Sequence, residues 1–368
     1  MTPHPVDVAV VLPAGERFSP AAAGAIALLV YRTTRRPADH SCVVVGTECA
    51  APFQDVPFLG VTERHLPVRA AWRYAFAIAR ALPAPRLIEV HNRADVALAL
   101  SRLFPSVPVT LFCHNDPLSM RGMRTHRARI RALKRLYAVA GVSRFIIEPL
   151  RSTLPHADPV VIPNGIDPVT DVPAEAAREK LIMFAGRMVG NKGADAFVEA
   201  CARALPQLPG WRAEMIGADR FGHDSPETEF LGRLRPRAAA AGVSLLGFLP
   251  HDAVMAAMRR AAIVAVPSRW AEPFGLTALE AMASGAALVS SRRGGLAELV
   301  DDAAEICDPD DIPGFSAILT RLANDEALRR NLARAGVVRA SHYTTERMAA
   351  GLWAWRGRAL NRHDQEAI

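Results

Sequence analysis

Short apolar stretches alternate with longer segments of helical apolar spacing along almost the whole chain. This alternation predicts parallel strands joined by helices, as in α/β proteins. The predicted strands of the first half are Val6–Leu12, Ser41–Val45, Arg86–Val90, Val107–Phe112 and Val160–Ile162. Those of the second half are Leu181–Ala185, Arg212–Ile216, Val243–Leu246, Ala262–Val266 and Ala286–Ser290.

A polar segment with two prolines, Pro168–Lys180, interrupts the alternation and suits an interdomain linker. A chain of 368 residues exceeds the roughly 250 to 300 residues at which a single core stops growing. We therefore predict two Rossmann-like domains, residues 1–168 and 169–343. Met348, Leu352, Trp353 and Trp355 indicate an amphipathic terminal helix, about residues 344–362, which is expected to pack back on the first domain.

The composition, 50% apolar and 22% charged, is typical of a soluble globular enzyme. No apolar run near the start approaches the ~20 residues that cross a bilayer. Met1–Asp7 carries no basic residue and leads into a predicted strand, so no secretory signal is expected and a cytoplasmic location is predicted. The five cysteines form no C-x-x-C pair, which argues against a disulfide framework and a zinc site.

The net charge of +7 is concentrated in one segment, because residues 117–147 contain no Asp or Glu. The cations of this segment are Arg121, Arg124, Arg127, Arg129, Arg131, Lys134, Arg135 and Arg144. Together with Ile130, Leu133 and Leu136 they fit a helix that lies on anionic lipid, and they fit a solvated basic helix equally well. Nucleic-acid binding is disfavoured because no basic motif is interleaved with aromatic residues.

Two carboxylates eight positions apart, Glu272 and Glu280, flank a predicted helix start. Pro273 suits a first helical turn, so Glu272 is expected just before the helix. The N–H groups of Gly275, Leu276 and Thr277 would then hold a phosphate, while the carboxylates accept hydrogen bonds from sugar hydroxyls. The alternative is an exposed helix that the two glutamates only cap and solubilise. The preceding apolar run 262–268 favours the binding site, because open α/β sheets bind ligands at strand ends.

A second loop, Phe184–Gly193, follows a predicted strand and carries Arg187 and Lys192. Its glycines allow close approach to a phosphate, and its two cations would neutralise a diphosphate leaving group. The chain has only three lysines among its 44 basic residues, which makes Lys192 informative. Two ordinary surface cations are the alternative.

These motifs resemble those of the family-four retaining glycosyltransferases of GT-B fold, particularly bacterial lipopolysaccharide and exopolysaccharide hexosyltransferases. The resemblance covers nearly the whole chain and rests on Pro163–Asp167, on Gly186-Arg187 with Lys192-Gly193, and on Glu272 with Glu280. It implies two facing Rossmann-like domains with a deep cleft between them, and a nucleotide-sugar donor of UDP or GDP type.

The resemblance also implies residue roles. Arg187 and Lys192 would bind the diphosphate, Glu280 the ribose and Glu272 the transferred sugar, while His114 would contact the donor sugar. Backbone groups of the loop Leu246–Leu249 would recognise the base. The implied catalytic residues are His114, Glu272, Arg187 and Lys192. The implied donor-binding residues are Gly15, Gly186, Arg187, Lys192, Phe248, Leu249, Glu272, Phe274, Gly275, Leu276, Thr277 and Glu280. His91 and Asn115 are expected on the acceptor side. Around Gly15 the family's paired glycines are absent.

The resulting hypothesis is a retaining hexosyltransferase that acts on a glycan or lipid-linked acceptor in lipopolysaccharide or exopolysaccharide synthesis. No metal or other cofactor is expected, because Arg187, Lys192 and a helix N-terminus take the place of a metal held by an Asp-x-Asp sequence. The alternatives are a GT-B-like nucleotide-sugar epimerase or hydrolase, and a noncatalytic nucleotide-sugar-binding partner of another transferase.

Overall fold

The computed structural model describes residues 6–36, 40–219 and 227–366, so the first five residues of the predicted first domain lie outside it. The chain divides into two compact units. Unit 1 comprises residues 1–165 together with 345–368, and unit 2 comprises residues 166–344. No helix within the described ranges is long and apolar enough to span a membrane.

Unit 1 contains a parallel sheet of seven strands in the order β3-β2-β1-β4-β5-β6-β7. The strands are β1 (Val8–Val11), β2 (Cys42–Thr47), β3 (Phe58–Val61), β4 (Leu87–His91), β5 (Val109–Cys113), β6 (Ala138–Gly141) and β7 (Val160–Val161). The helices are α1 (Ala25–Thr34), α2 (Ala70–Ala81), α3 (Ala94–Leu103), α4 (His126–Arg135) and α5 (Arg144–Thr153). β3 and β6 were not predicted, because β6 is made of alanine, valine and glycine and β3 contains a glycine, which weaken the strand signal.

Unit 2 contains a parallel sheet of six strands in the order β10-β9-β8-β11-β12-β13. The strands are β8 (Glu179–Ala185), β9 (Arg212–Ile216), β10 (Val243–Gly247), β11 (Ala261–Val266), β12 (Ala287–Ser290) and β13 (Glu305–Ile306). The helices are α6 (Ala194–Ala204), α7 (Glu229–Ala240), α8 (His251–Arg260), α9 (Leu276–Ala283), α10 (Leu296–Val300), α11 (Ile312–Asn324) and α12 (Glu326–Ala340). The prediction of two Rossmann-like parallel sheets is confirmed.

Buried apolar runs explain why the central strands form. Every residue of β1 and of β11 is buried. Parallel strands covered by helices on both faces read as continuous apolar runs, which is the pattern that predicted them.

The last helix, α13 (Thr345–Glu366), belongs to unit 1 although it follows unit 2 in the chain. Ala359 and Leu360 pack in the same core as Val8, Val44 and Leu87 of the sheet. Unit 1 is therefore built from both ends of the chain.

Each sheet has a point at which successive connections turn to opposite sides. In unit 1 it lies between β1 and β4, and in unit 2 between β8 and β11. Ligands of open α/β sheets bind at such points, beyond the carboxyl ends of the strands. The loops that follow β1, β4, β8 and β11 are therefore expected to carry ligand-binding residues.

Candidate active site

The loop after β8 brings Lys192 to the end of β11. Gly190–Lys192 form a single 3-10 turn, and Gly193, with φ of 73°, is the N-cap residue of α6. A Cβ atom at Gly193 would lie 1.9 Å from the carbonyl oxygen of Pro267, so only glycine allows this close approach. The two loops at the switch point are thus in direct backbone contact.

Lys192 and Glu272 form an ion pair at this point. The Nζ of Lys192 lies 2.6 Å from Oε1 of Glu272, which also accepts a hydrogen bond of 2.8 Å from the Ser268 hydroxyl. The ammonium group lies 4.6 Å from the ring centroid of Trp270. Two residues that the sequence assigned to different parts of one donor are therefore direct neighbours.

The helix that follows Glu272 starts later than predicted. The expectation that Pro273 lies in its first turn is wrong, because α9 begins at Leu276 with Gly275 as its N-cap. Glu272 is instead extended and bridged to Gly294, with its carbonyl accepting from Gly295 N–H at 2.6 Å. Gly275 has φ of 107°, and a Cβ there would lie 2.4 Å from a Leu296 methyl.

The helix start to which the phosphate contacts were assigned therefore lies at Leu276. The N–H groups of Leu276 and Thr277 lie in the first turn of α9, where they have no carbonyl acceptor one turn earlier within the helix. Phe274 is buried against Tyr343, with ring centroids 5.7 Å apart, so its side chain belongs to the core.

Glu280 is paired with a histidine that the sequence reasoning missed. Oε1 of Glu280 lies 2.8 Å from Nε2 of His251, the first residue of α8. The preceding loop carries Phe248, which is 73% exposed, and the half-buried Leu249. The signal that could have indicated His251 is its position directly after the proposed base-recognition loop.

Hydrogen bonds from Arg269 connect two loops at this site. Arg269 donates to Asp195 at 2.7 Å and to the Gly190 carbonyl at 2.9 Å, which ties the loop after β11 to the loop after β8. Gly186 adopts φ of 145° directly after β8, and Arg187 beside it is half-buried.

The expectation of no metal assumed that the chain lacks an Asp-x-Asp sequence, and this assumption is wrong, because Asp308-Pro309-Asp310 is such a sequence. Arg293 donates to both carboxylates, at 3.3 and 3.0 Å, and Arg269 donates to Asp310 at 2.6 Å. These arginines hold the pKa of Asp310 below its usual value, the hydrogen bond from Arg269 being the main cause. Both carboxylates thus serve as partners of arginines.

In unit 1 the candidate residues cluster at the ends of β4 and β5. Asn92 has φ of 57°, and its Oδ1 accepts from the backbone N–H groups of His114 and Asn115 at 3.2 and 3.0 Å. Nδ1 of His91 lies 2.8 Å from Nε2 of His114. Asn115 is exposed.

Gly15, predicted for the donor site, lies in the turn after β1. It adopts φ of 89°, and its N–H donates to the Thr47 hydroxyl at 3.2 Å. A Cβ at this position would meet no atom within 4 Å, so the backbone conformation is what favours glycine there.

The histidine pair is joined to a buried ion pair that the sequence did not reveal. Nε2 of His91 lies 2.9 Å from Oε1 of Glu89, and Arg356 of α13 donates to both carboxylate oxygens at 2.8 and 2.5 Å. Glu89 is 0% and Arg356 1% exposed. The available signal was a charged residue within each of two otherwise apolar patterns, the β4 strand and the inward face of the terminal helix.

Burial and the neighbouring charges set the protonation of this network. Burial alone would raise the pKa of Glu89, but the charge and hydrogen bonds of Arg356 outweigh it and hold that pKa far below its usual value. Burial, and then the nearby His91, hold the pKa of His114 well below its usual value. Both ring nitrogens of His91 contact protein groups and the ring is buried, so His91 belongs to this network rather than to an acceptor contact.

The basic segment includes α4 and the turn before it, in which Leu118 is exposed, and Ile130 of α4 is half-buried. Leu133 and Leu136 are buried. The exposed cations are Arg121, Arg124, Arg127, Arg131, Lys134 and Arg135. A helix whose leucines pack into the protein cannot insert them among lipid tails, so only the electrostatic part of the interfacial hypothesis is open to test.

Two family models match consecutive parts of the chain. Residues 8–169 match the model described as Glycosyltransferase Family 4, and residues 169–338 match the model described as Glycosyl transferases group 1. The boundary between the two models lies next to the boundary between the two units.

Named relatives match parts of the chain. The lipopolysaccharide core biosynthesis mannosyltransferase LpcC of Rhizobium leguminosarum is 33% identical over 194 residues, 49% of each chain. The D-inositol 3-phosphate glycosyltransferase of Acidothermus cellulolyticus is 31% identical over 211 residues, 52% of this chain and 46% of the relative. The matched regions of the first relatives span between 24% and 63% of those proteins' own length.

Solved structures share the fold at low sequence identity. Anabaena Alr3699/HepE, in complex with UDP and glucose, superimposes with a TM-score of 0.71 at 19% identity, covering 94% of this chain and 97% of that one. With the two family models together accounting for residues 8–338, the chain belongs to the glycosyltransferases that these models describe.

Proposed function

We propose that the protein is a retaining glycosyltransferase that transfers a hexose from a nucleotide-diphosphate sugar to a glycan or lipid-linked acceptor, in lipopolysaccharide or exopolysaccharide synthesis. The observation that carries the proposal is the pairing of Lys192 with Glu272 at the switch point of unit 2, beside the start of α9. At one strand edge a cation and the N–H groups of a helix start would bind the anionic diphosphate, and a carboxylate would accept hydrogen bonds from the hydroxyls of the sugar.

Lys192, Arg187 and the α9 N-terminus would bind the diphosphate and stabilise the negative charge that grows on it as it leaves. When Lys192 pairs with the diphosphate instead of with Glu272, the carboxylate of Glu272 becomes free to accept hydrogen bonds from the transferred sugar. Glu280, held by His251, would bind the ribose hydroxyls. The exposed Phe248 lies in the loop assigned to the base.

Retention requires the acceptor to arrive on the face that the diphosphate leaves, unless a carboxylate forms a covalent intermediate. The carboxylate assigned to the transferred sugar, Glu272, would accept hydrogen bonds from Ser268 and from the hydroxyls of that sugar, which makes it a poor nucleophile. In the proposed step the acceptor oxygen bonds to the anomeric carbon, the bond from that carbon to the phosphate oxygen breaks, and the acceptor proton passes to this oxygen. The protein supplies orientation and charge stabilisation.

Calorimetric titration with UDP-, GDP- and ADP-sugars tests the donor assignment. A UDP or GDP sugar is expected to bind more tightly than its ADP counterpart, and UDP is supported by the ligands of the Anabaena neighbour. Absence of binding by every sugar would contradict the proposal. Product NMR then distinguishes transfer with retention from release of free sugar or of an epimerised donor, which would support the alternative enzymes.

Transfer is expected to continue in excess EDTA, because Lys192, Arg187 and the helix N-terminus supply the positive charge that a metal supplies elsewhere. The measurement is the initial rate with EDTA, with EDTA followed by excess magnesium, and without additions. A rate that collapses with EDTA and returns with magnesium would show that the diphosphate needs a metal. The arginine-bound carboxylates of Asp308 and Asp310 would then be the first to examine.

We also propose that unit 1 docks on anionic lipid through α4 and the turn before it, at the inner face of the cell membrane. Each cation near such a surface contributes about 1 kcal/mol, and the attraction decays within ~8 Å at physiological salt. Replacing Arg127, Arg131 and Lys134 by glutamine is expected to weaken binding to anionic vesicles on the order of a hundredfold. Co-sedimentation at low and high salt measures this.

The matched control replaces three arginines of α7 in unit 2 by glutamine, Arg233, Arg235 and Arg237. They are exposed, but each is paired with a glutamate, so the local net charge there is small. The control should bind vesicles like the wild type. Equal loss in both triple variants would indicate a response to net charge alone, and equal binding of all three proteins would remove the membrane from the proposal.

A further inference from the structure

Four buried ionisable side chains contact one another in sequence across unit 1, from the terminal helix to the end of β5. Arg356 holds Glu89, Glu89 contacts His91, and His91 contacts His114. The last atom of this series of contacts is Nδ1 of His114, a buried nitrogen with no hydrogen-bond partner among the described residues. Buried polar atoms are nearly always paired in native proteins, so this one requires an explanation.

The contacts determine where the protons lie. A carboxylate can only accept hydrogen bonds, so Nε2 of His91 carries the proton in its contact with Glu89. In a neutral ring Nδ1 of His91 is then an acceptor, and the proton of the next contact belongs to Nε2 of His114. Nδ1 of a neutral His114 is therefore a bare acceptor.

The reverse arrangement needs a charged His91 that donates from both nitrogens. Glu89 already receives two hydrogen bonds from Arg356, which neutralises its charge. A second cation would leave one buried positive charge without a counter-charge, and such burial is strongly unfavourable. The neutral arrangement is therefore the one that the structure supports.

We propose that Arg356, Glu89 and His91 are positioning residues that fix His114 in the tautomer with a bare Nδ1, and that a hydroxyl of the bound ligand donates a hydrogen bond to this nitrogen. The hydrogen bond from the ligand hydroxyl rests on the proposed function, whereas the tautomer of His114 is a property of the ligand-free protein. A phosphate group would not satisfy this nitrogen, because an ionised phosphate oxygen has no proton to donate. The terminal helix thus acts on His114 through Glu89.

The tautomer is measured in the full-length, donor-free protein with 15N-labelled histidine. Long-range proton–nitrogen correlation at pH 8 separates protonated from bare ring nitrogens, and the His114→Gln variant identifies the His114 signals. We expect a protonated Nε2 and a bare Nδ1 on His114. A protonated Nδ1, a charged ring or an equal mixture of tautomers in the wild type would overturn the proposal.

A double variant tests whether the buried pair sets the tautomer. Glu89→Gln with Arg356→Met removes both charges together and keeps similar volumes. An amide can accept from His91 or donate to it, so both tautomers of His114 should now be populated. The control replaces an exposed pair of α5 in the same way, Glu148→Gln with Arg151→Met, and should leave the spectrum unchanged. A wild-type spectrum in the folded Glu89/Arg356 double variant would overturn the positioning role.

Titration with UDP-glucose and with GDP-mannose tests the hydrogen bond between the ligand hydroxyl and Nδ1 of His114. Saturation by a sugar that binds calorimetrically should shift the Nδ1 resonance of His114 towards that of a hydrogen-bonded acceptor. Saturation without a shift would overturn the hydroxyl contact while leaving the proposed function intact. If no UDP-, GDP- or ADP-sugar binds, the hydroxyl contact fails together with the proposed function, and the tautomer result in the free protein is unaffected.

Discussion

Replacing Lys192 by alanine is expected to lower kcat by about a hundredfold to a thousandfold, the loss seen when one stabilising group is removed from a developing negative charge. Lys192 lies at the carboxyl end of β8, paired with Glu272 and stacked on Trp270. Its ammonium group would pair with the diphosphate as that group leaves. Arg187→Ala is expected to act in the same direction. Steady-state kinetics with saturating donor measure the effect.

A matched lysine at the other end of the same strand provides the control. Lys180 is exposed near the start of β8, so Lys180→Ala should leave kcat and the thermal midpoint unchanged. The thermal midpoint of Lys192→Ala should fall, because the substitution leaves the buried carboxylate of Glu272 without its ion-pair partner, so the kinetics are measured at a temperature at which the variant is folded. Near-normal turnover of a folded Lys192→Ala variant would contradict the diphosphate assignment.

Replacing Arg356 by methionine is expected to reduce the free energy of unfolding by about 3–5 kcal/mol, because it leaves the buried charge of Glu89 without a partner. Chemical denaturation followed by tryptophan fluorescence measures the loss, since the buried Trp355 of α13 contacts Phe112 of β5. The double variant Glu89→Gln/Arg356→Met should recover most of it. A double variant as unstable as the single one would show that packing of the arginine, rather than its charge, is what matters.

The pH dependence of this effect has a definite sign. The pKa of Glu89 is held below its usual value, so its ionisation stabilises the native wild type above about pH 4.5, and the gain is lost as the pH falls further. Without Arg356, burial would raise this pKa instead. The stability difference between wild type and Arg356→Met should therefore shrink from pH 7 to pH 4.

His114 contributes in the same direction. Its pKa is lower in the folded protein than in the unfolded chain, so the unfolded chain binds more protons and stability is lost as the pH falls below about 6.5. Replacing His114 by glutamine should flatten the stability profile between pH 7 and pH 5. An unchanged profile would contradict the neutral, buried state of this ring.

Apolar periodicity along the chain was enough to predict two parallel sheets and most of their strands. The run from Ala262 to Val266 is apolar because β11 is covered on both faces, and this burial is visible in the sequence itself. β6, with its alanines and glycine, lacked the signal because small residues fit a buried strand without β-branched or aromatic character. The helix after Glu272 was placed too early, since the bridge between Glu272 and Gly294 that delays its start joins residues distant in sequence.

Sequence motifs also placed Lys192 and Glu272 each at a strand end, but only the strand order puts them 2.6 Å apart. They are 80 positions apart, and they meet because β8 and β11 are neighbours while β9 and β10 lie on the other side of β8. Glu89 and Arg356 are 267 positions apart and pair only because α13 returns to unit 1. Local pattern reports which side of a segment is buried, whereas the partner of a buried charge is decided by how distant segments pack together.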